Sequence, residues 1–240
     1  MKKKVNYFIY SMTLMGIFLI ISSSCNKKEE SNNNPNAIAM TDIDGNTYHA
    51  VIIGTQEWMI ENLKVTKYQN GDPVTNVKDQ HEWGYLPDGT GAYCVYENDS
   101  SYNSTYGVLY NWYAVNDVRK LAPVGWHVPS NAEWNTLFTF LKGEDIACGK
   151  MKSTGNRQDG TGLWNKPNTG ATNSSRFTAF PGGYRDYDYF DGLYESACFW
   201  TSEQDHDQMA GIIVLYYNKE NLSLAVSSEH LGCSIRCIKD

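Results

Sequence analysis

Two long stretches, Lys67 to Tyr106 and Gly155 to Phe177, are dense in Gly, Asp, Asn and hydroxyl or aromatic residues and carry almost no periodic aliphatic pattern. Neither has the 3.6-residue or two-residue repeat that a buried helix face or a half-buried strand requires. A fold containing them must hold long excursions against a small framework, so the rings inside them become the natural anchors. In the first stretch the expected anchors are Trp83, Tyr85, Tyr93, Cys94 and Tyr96; in the second, Trp164.

The framework is legible in pieces. Asp44-Gly45 is a hairpin-turn signal. Tyr48 and Val51 to Ile53 are strand material, Gly54 turns the chain, and "EWMIENL" follows, which predicts a meander of two or three short strands. Asp42, Asp44 and Asn46 resemble the start of a calcium loop, but the later Gly and closing Glu are missing, so a turn is the reading. "YGVLYNWYAV" is too short for periodicity to choose strand or helix. Ser130 and Glu133 form an S-x-x-E capping box, and Trp134, Leu137, Phe138 and Leu141 recur at helical spacing up to a stop at Gly143. Glu133 is therefore a capping residue, and His127, ahead of Pro129, an ordinary hydrogen-bonded histidine. In the C-terminal third a short apolar run breaks at Pro181-Gly182-Gly183 and resumes at Ala197 to Thr201. Met209 to Asn218 is the strongest strand, and "LSLAVS" returns antiparallel to it after a turn at Lys219 to Asn221. "CSIRCIKD" reads as a final strand with Ser234 and Arg236 on one face and Ile235, Cys237 and Lys239 on the other.

The N-terminus carries processing signals. Lys2, Lys3 and Lys4 precede an apolar run from Val5 to Ile21, then "SSSC". Cys25 resembles the lipidation site of bacterial lipoproteins, with Ser22 where such sites usually carry Leu. The predicted organisation is a signal peptide at 1–24, a lipidated cysteine and flexible tether at 25–40, and one domain at 41–240. The rival reading is an uncleaved membrane anchor, because about 18 apolar residues span a bilayer. "KKEE" at Lys27 to Glu30 is similar to short charged signals that carry some lipoproteins to the outer face; as a solvated linker it would look the same. The implied location is an exported bacterial lipoprotein on the outer membrane, up to the cell surface, held by palmitate on Cys25. Without the signal lysines the charge is more negative than −7, and no basic cluster remains, which argues against nucleic-acid binding. Export permits disulfides among Cys94, Cys148, Cys198, Cys233 and Cys237. Spacing does not choose the pairing, and the three residues inside "CSIRC" do not fit a zinc knuckle.

The blocks "DGNTYHAVIIGTQEWMIENL", "YNWYAV", "GWHVPSNAEW", "FTAFPGGYRD", "FWTSE" and "SIRCIKD", in that order, resemble the Fibrobacter succinogenes major paralogous domain over nearly the whole mature chain. That resemblance implies a secreted or lipid-anchored bacterial protein. The helix after Pro129, the Gly182-Gly183-Tyr184-Arg185 segment and Ser234-Ile235-Arg236 are also similar to formylglycine-generating enzymes and C-type-lectin-like folds. The implied fold class is α+β: small twisted antiparallel sheets with a few helices and long loops. Formylglycine-generating enzymes bind copper with two C-terminal cysteines. Cys233 and Cys237 are the candidates here, but with three intervening residues where that family has four.

Function reads as a noncatalytic binding or adhesion module, with a glycan or an envelope protein as partner and the membrane reached through Cys25. Asp186, Asp188, Asp191 and Glu195 are candidate calcium ligands, since carboxylates in one loop suit a hard cation; no other cofactor is implied. Arg185 among them reads as half of a structural ion pair. The Glu-Pro-Asn and Gln-Pro-Asp sugar signatures of C-type lectins are missing. The alternatives are a secreted hydrolase with paired carboxylates or the copper oxidase. No nucleophile elbow, HExxH or phosphate-cradling glycine motif supports an enzyme.

Overall fold

The computed structural model describes residues 38–240. The signal peptide, Cys25 and the tether as far as residue 37 lie outside the described residues. The fold is mixed α+β, with few helices and curled, mostly antiparallel sheets. No helix among the described residues is long and apolar enough to cross a membrane.

The meander forms as expected: β1 (Ile38–Thr41), β2 (Thr47–Ile53) and β3 (Gln56–Met59) pair antiparallel in sequence. Asp42 builds the first turn. Its Oδ1 accepts the Asp44 and Asn46 N–H groups at 3.0 and 2.9 Å, and its Oδ2 accepts the Tyr48 hydroxyl at 2.8 Å. Gly45 supplies the positive φ of 84°. The carboxylate is spent on the turn, as in an Asx motif, and not on a metal.

Within Lys67 to Tyr106 the regular pieces are β4 (Thr75–Asn76), α1 (Gln80–Gly84), β5 (Ala92–Cys94), two 3-10 turns (Tyr96–Asn98 and Ser100–Tyr102) and a single α turn, α2 (Asn103–Tyr106). The ambiguous "YGVLYNWYAV" is both strand and helix: β6 (Leu109–Tyr110) ends at Asn111, whose Oδ1 caps α3 (Trp112–Val115). Strands β4, β5 and β6 make a small separate sheet. After β7 (Trp126–His127), α4 (Asn131–Phe140) starts with the complete capping box of Ser130 and Glu133. Trp134, Leu137 and Phe138 are buried against Trp58 and Phe177. Gly143, with φ 103°, stops α4 and also opens α5 (Glu144–Met151), a helix without a side-chain cap.

The large C-terminal sheet has the order β12-β11-β10-β8-β9, from β8 (Gly182–Arg185), β9 (Phe190–Leu193), β10 (Ser196–His206), β11 (Met209–Tyr216) and β12 (Ser223–Ser228). The β11–β12 hairpin is antiparallel as predicted. The last segment departs from prediction. Only β13 (Ile238–Lys239) is a strand, inserted between β3 and β7. Upstream, Cys233 and Ser234 make single bridges to Tyr110 and Phe199. Protein covers both sides, so Ser234 and Arg236 (2% and 0% exposed) are as buried as Ile235 and Cys237. Two-face alternation has no meaning where neither face meets water. Arg236 keeps its charge in the core by donating to the Met59 and Phe177 carbonyls and to Asn62 Oδ1, with Phe177 and Phe199 beside its plane.

Three further ties hold the long excursions. Trp164 is fully buried and donates Nε1–H to Ala179 O at 3.1 Å. Lys152, also buried, donates to the Thr169, Tyr216 and Lys219 carbonyls at 2.9 to 3.0 Å, and burial pushes its pKa down. Cys198 and Cys233 form a disulfide between β10 and the terminal segment. Such a loop closure contributes roughly 2–4 kcal/mol. Cys94, Cys148 and Cys237 are free and buried.

Candidate functional site

Helix α1 is short, and its placement rests on three contacts. Asp79 Oδ1 accepts the Glu82 N–H at 2.9 Å as N-cap. Trp83 is buried and donates its indole N–H to His230 O at 2.8 Å. Arg185, at the end of β8, donates Nη1–H to Val77 O at 2.7 Å and Nη2–H to Asp79 O at 2.8 Å, and its guanidinium lies 4.5 Å from the Trp83 ring and 4.9 Å from Phe190. The expected ion pair of Arg185 is therefore corrected. Its fork serves backbone carbonyls, which the planar guanidinium matches as well as a carboxylate. Through it, α1 is fastened to the turn between β8 and β9.

That turn carries Tyr187 onto Gly84. A Cβ at Gly84 would come within 2.9 Å of the Tyr187 ring and 3.2 Å of its carbonyl, so the close approach requires glycine. Between the two segments lies a depression of about 680 Å³, within the usual range of ligand sites. Tyr85 and His81 stack on one side, centroids 4.3 Å apart and planes at 20°. Tyr187 and Asp188 form the other side, with Lys78, Asp79, Gln80 and Asn98 completing the lining. Tyr85 is 74% exposed and Tyr187 48% exposed. Tyr85 was expected to anchor its loop; Trp83 does that, and Tyr85 faces water. Two residues apart across a short helix, the two rings point to different faces, and nothing in local composition separates them.

The aromatic surface continues past Tyr187. The Tyr187 ring stacks on His230 at 6.2 Å and 22°, and His230 meets Tyr113 edge-on at 5.2 Å. Asp88 gathers this end: it accepts the Tyr113 hydroxyl at 3.1 Å, the His230 Nε2–H at 3.2 Å and the Gln208 amide at 2.9 Å. The bond from His230 holds the Asp88 carboxyl below its usual range, helped by Tyr113. Burial and the same Asp88 bond push the Tyr113 phenol up. Two buried polar atoms along this surface have no protein partner, Asn98 Oδ1 and His230 Nδ1, although Asn98 Nδ2–H donates to Lys78 O at 2.9 Å.

The predicted calcium ligands do not converge. Asp186 accepts the Tyr187 N–H at 2.8 Å and the Tyr189 hydroxyl at 3.0 Å; Asp191 accepts the Gly192 N–H at 2.7 Å and the Tyr184 hydroxyl at 3.0 Å. Glu195 lies beyond the next turn and accepts from Asn165 at 3.2 Å. Asp186 and Asp191 are taken up by their own local turns, Glu195 by Asn165, and of the four only Asp188 reaches the depression. Among the described residues no group of three or more His, Cys, Asp or Glu is arranged to hold a metal ion. His127 is a hydrogen-bonded histidine as expected, with Glu133 Oε1 and Asp240 Oδ1 each 2.7 Å from a ring nitrogen.

The family model of the Fibrobacter succinogenes major domain matches residues 51–239. The chain belongs to this family. No curated protein and no solved structure matches it. In this Fibrobacter succinogenes major domain, the blocks that carried the resemblance are framework: Trp58, Tyr110, Trp112, Trp134, Phe177, Arg185, Trp200 and Arg236 are all buried. The depression is built from residues between those blocks: Lys78 to His81, Gly84, Tyr85, Asn98, Tyr187 and Asp188. Motif reading therefore found the scaffold and passed over the surface. The C-terminal cysteines also fall out of the copper reading. Cys233 is bonded to Cys198, and Cys237 is sealed in the core, where burial pushes its thiol pKa up. A copper pair needs two reduced, accessible thiols.

Proposed function

We propose that this domain is a noncatalytic binding module of an exported, lipid-anchored envelope protein, and that the depression between α1 and the β8–β9 turn takes carbohydrate. One observation carries the reading: Tyr85 and Tyr187 are held facing water by a buried clamp of Arg185, Trp83 and Gly84. Exposed rings fixed in place contribute contact area at little entropic cost. The side chains around them, Gln80, Asn98 and Asp188, are the amides and carboxylates that pair with sugar hydroxyls. The leader ending at Cys25 supports anchoring at the outer membrane, facing the cell exterior. The wider likeness to C-type-lectin-like folds belongs to the same proposal and fits loops that carry the ligand surface on a rigid base.

A glycan-binding screen of the purified chain tests this. Binding is expected, and Tyr85→Ala or Tyr187→Ala should each weaken it about tenfold, the loss of one stacked ring at about 1.4 kcal/mol. Tyrosine variants that bind as tightly as the parent would remove the site. Saturable hydrolysis of a glycoside, abolished by a single carboxylate substitution, would replace the reading with the hydrolase alternative. Palmitate labelling should be lost in Cys25→Ala.

A further inference from the structure

Resting on the carbohydrate reading of this surface, we infer that it selects glycans bearing free amines, oligomers of hexosamine, over N-acetylated or uronate sugars. Among the unpartnered buried polar atoms, the one that belongs to the lining of the depression is Asn98 Oδ1, an acceptor. Asp188 adds an exposed carboxylate at the depression, and Asp88 another at the far end of the Tyr187–His230 stack. Acceptors of this kind call for donors. An ammonium group supplies three with a positive charge, whereas an acetamido group supplies one and a uronate brings further acceptors.

The rings point the same way. Cations are attracted to the faces of Tyr rings, and Tyr85, Tyr187 and Tyr113 border the acceptors just named. Charge agrees on two scales. Lys78 lines the depression, but Asp79 and Asp188 line it too, and Asp186 and Glu82 flank them in sequence. Residues 38–240 carry 25 acidic against 15 basic side chains. A field of that sign raises the local concentration of a cationic polymer and repels an anionic one.

The test uses the purified chain and three tetramers at mildly acidic pH and low salt: β-1,4-linked glucosamine, its N-acetylated form, and galacturonate. Under those conditions the amine is charged and carboxylates stay ionised. Calorimetry should show the glucosamine tetramer binding about tenfold tighter than the N-acetylated one, the difference shrinking as salt rises, and galacturonate weakest. Asp188→Asn should cut the preference about threefold, and Tyr187→Ala should weaken both. Tyr187-dependent binding of all three with equal affinity overturns the charge selection and leaves the carbohydrate reading standing. Binding of no tetramer overturns both, as does capture of a tetra-arginine peptide in preference to any sugar.

Discussion

The two unpatterned stretches look alike in composition and end in opposite roles. Gly155 to Phe177 is pinned to the core: Trp164 is buried, Lys152 ties Thr169 to the β11–β12 connection, and Asn168 donates to the Ser153 and Gly155 carbonyls. Lys67 to Tyr106 is also pinned, by Trp83 and by Arg185, but its pins leave Tyr85 and His81 outside. Both are held by a buried Trp of their own and by a buried cation from outside, Lys152 for one and Arg185 for the other. The difference lies in what comes with the cation: the segment that supplies Arg185 also supplies the facing ring, Tyr187.

Substitutions can break this contrast. Trp164→Ala should have the largest effect on stability, about 3–5 kcal/mol for an emptied Trp site, read by denaturant unfolding. Glycan affinity measured well below the melting temperature should stay at the parent value; a matching loss of binding would mean the two loops are coupled. Arg185→Met should cost less, about 1–3 kcal/mol for the carbonyls left unpaired, yet abolish binding by releasing α1 from the turn. Intact binding in that variant would mean the cleft does not depend on the clamp.

The smallest effect concerns His127 and the cap of α4. Burial opposes its protonation, but the Asp240 and Glu133 carboxylates outweigh that and raise its pKa above 6.5. Glu133 is shifted down in turn: burial works against the shift, and the Ser130 backbone N–H, His127 and the Ser130 hydroxyl prevail. A raised histidine pKa stabilises the fold below the unfolded value and loses that contribution as pH rises through the folded one. A lowered Glu pKa contributes above its unfolded value and is lost in acid. The pair is thus at its best between the ordinary Glu range and neutrality. The site is over a third exposed, so solvent screening keeps the effect to roughly 0.5 kcal/mol. His127→Gln should flatten the decline in melting temperature from mildly acidic to mildly basic pH; an unchanged slope would assign the decline elsewhere.

Local rules read well where one rule governs. The capping box, the Asp44-Gly45 turn and the β11–β12 hairpin follow from side chains acting on their own backbone. Helix α5 escaped because Gly143 reads as a terminator and no side chain caps the new start; Ala147, Cys148 and Met151 are buried without a strong stripe. The carboxylates of Asp186 to Glu195 looked like a set because they are close in sequence, but Asp186 and Asp191 are consumed by their own turns, Glu195 by Asn165, and Asp188 alone faces the depression. The cleft was hidden for a converse reason. Its parts come from residues more than a hundred positions apart, and Tyr85 is told from Trp83 only by what Arg185 and His230 do.

Ile238 opposes Trp58 on one side and His127 on the other, and Arg236 reaches Met59 and Asn62. A strand from one end of the described residues thus completes the sheet that their other end begins. Without it β3 and β7 have no strand between them, and a copy lacking Ile238 and Lys239 carries an open seam where proteases and chaperones can act.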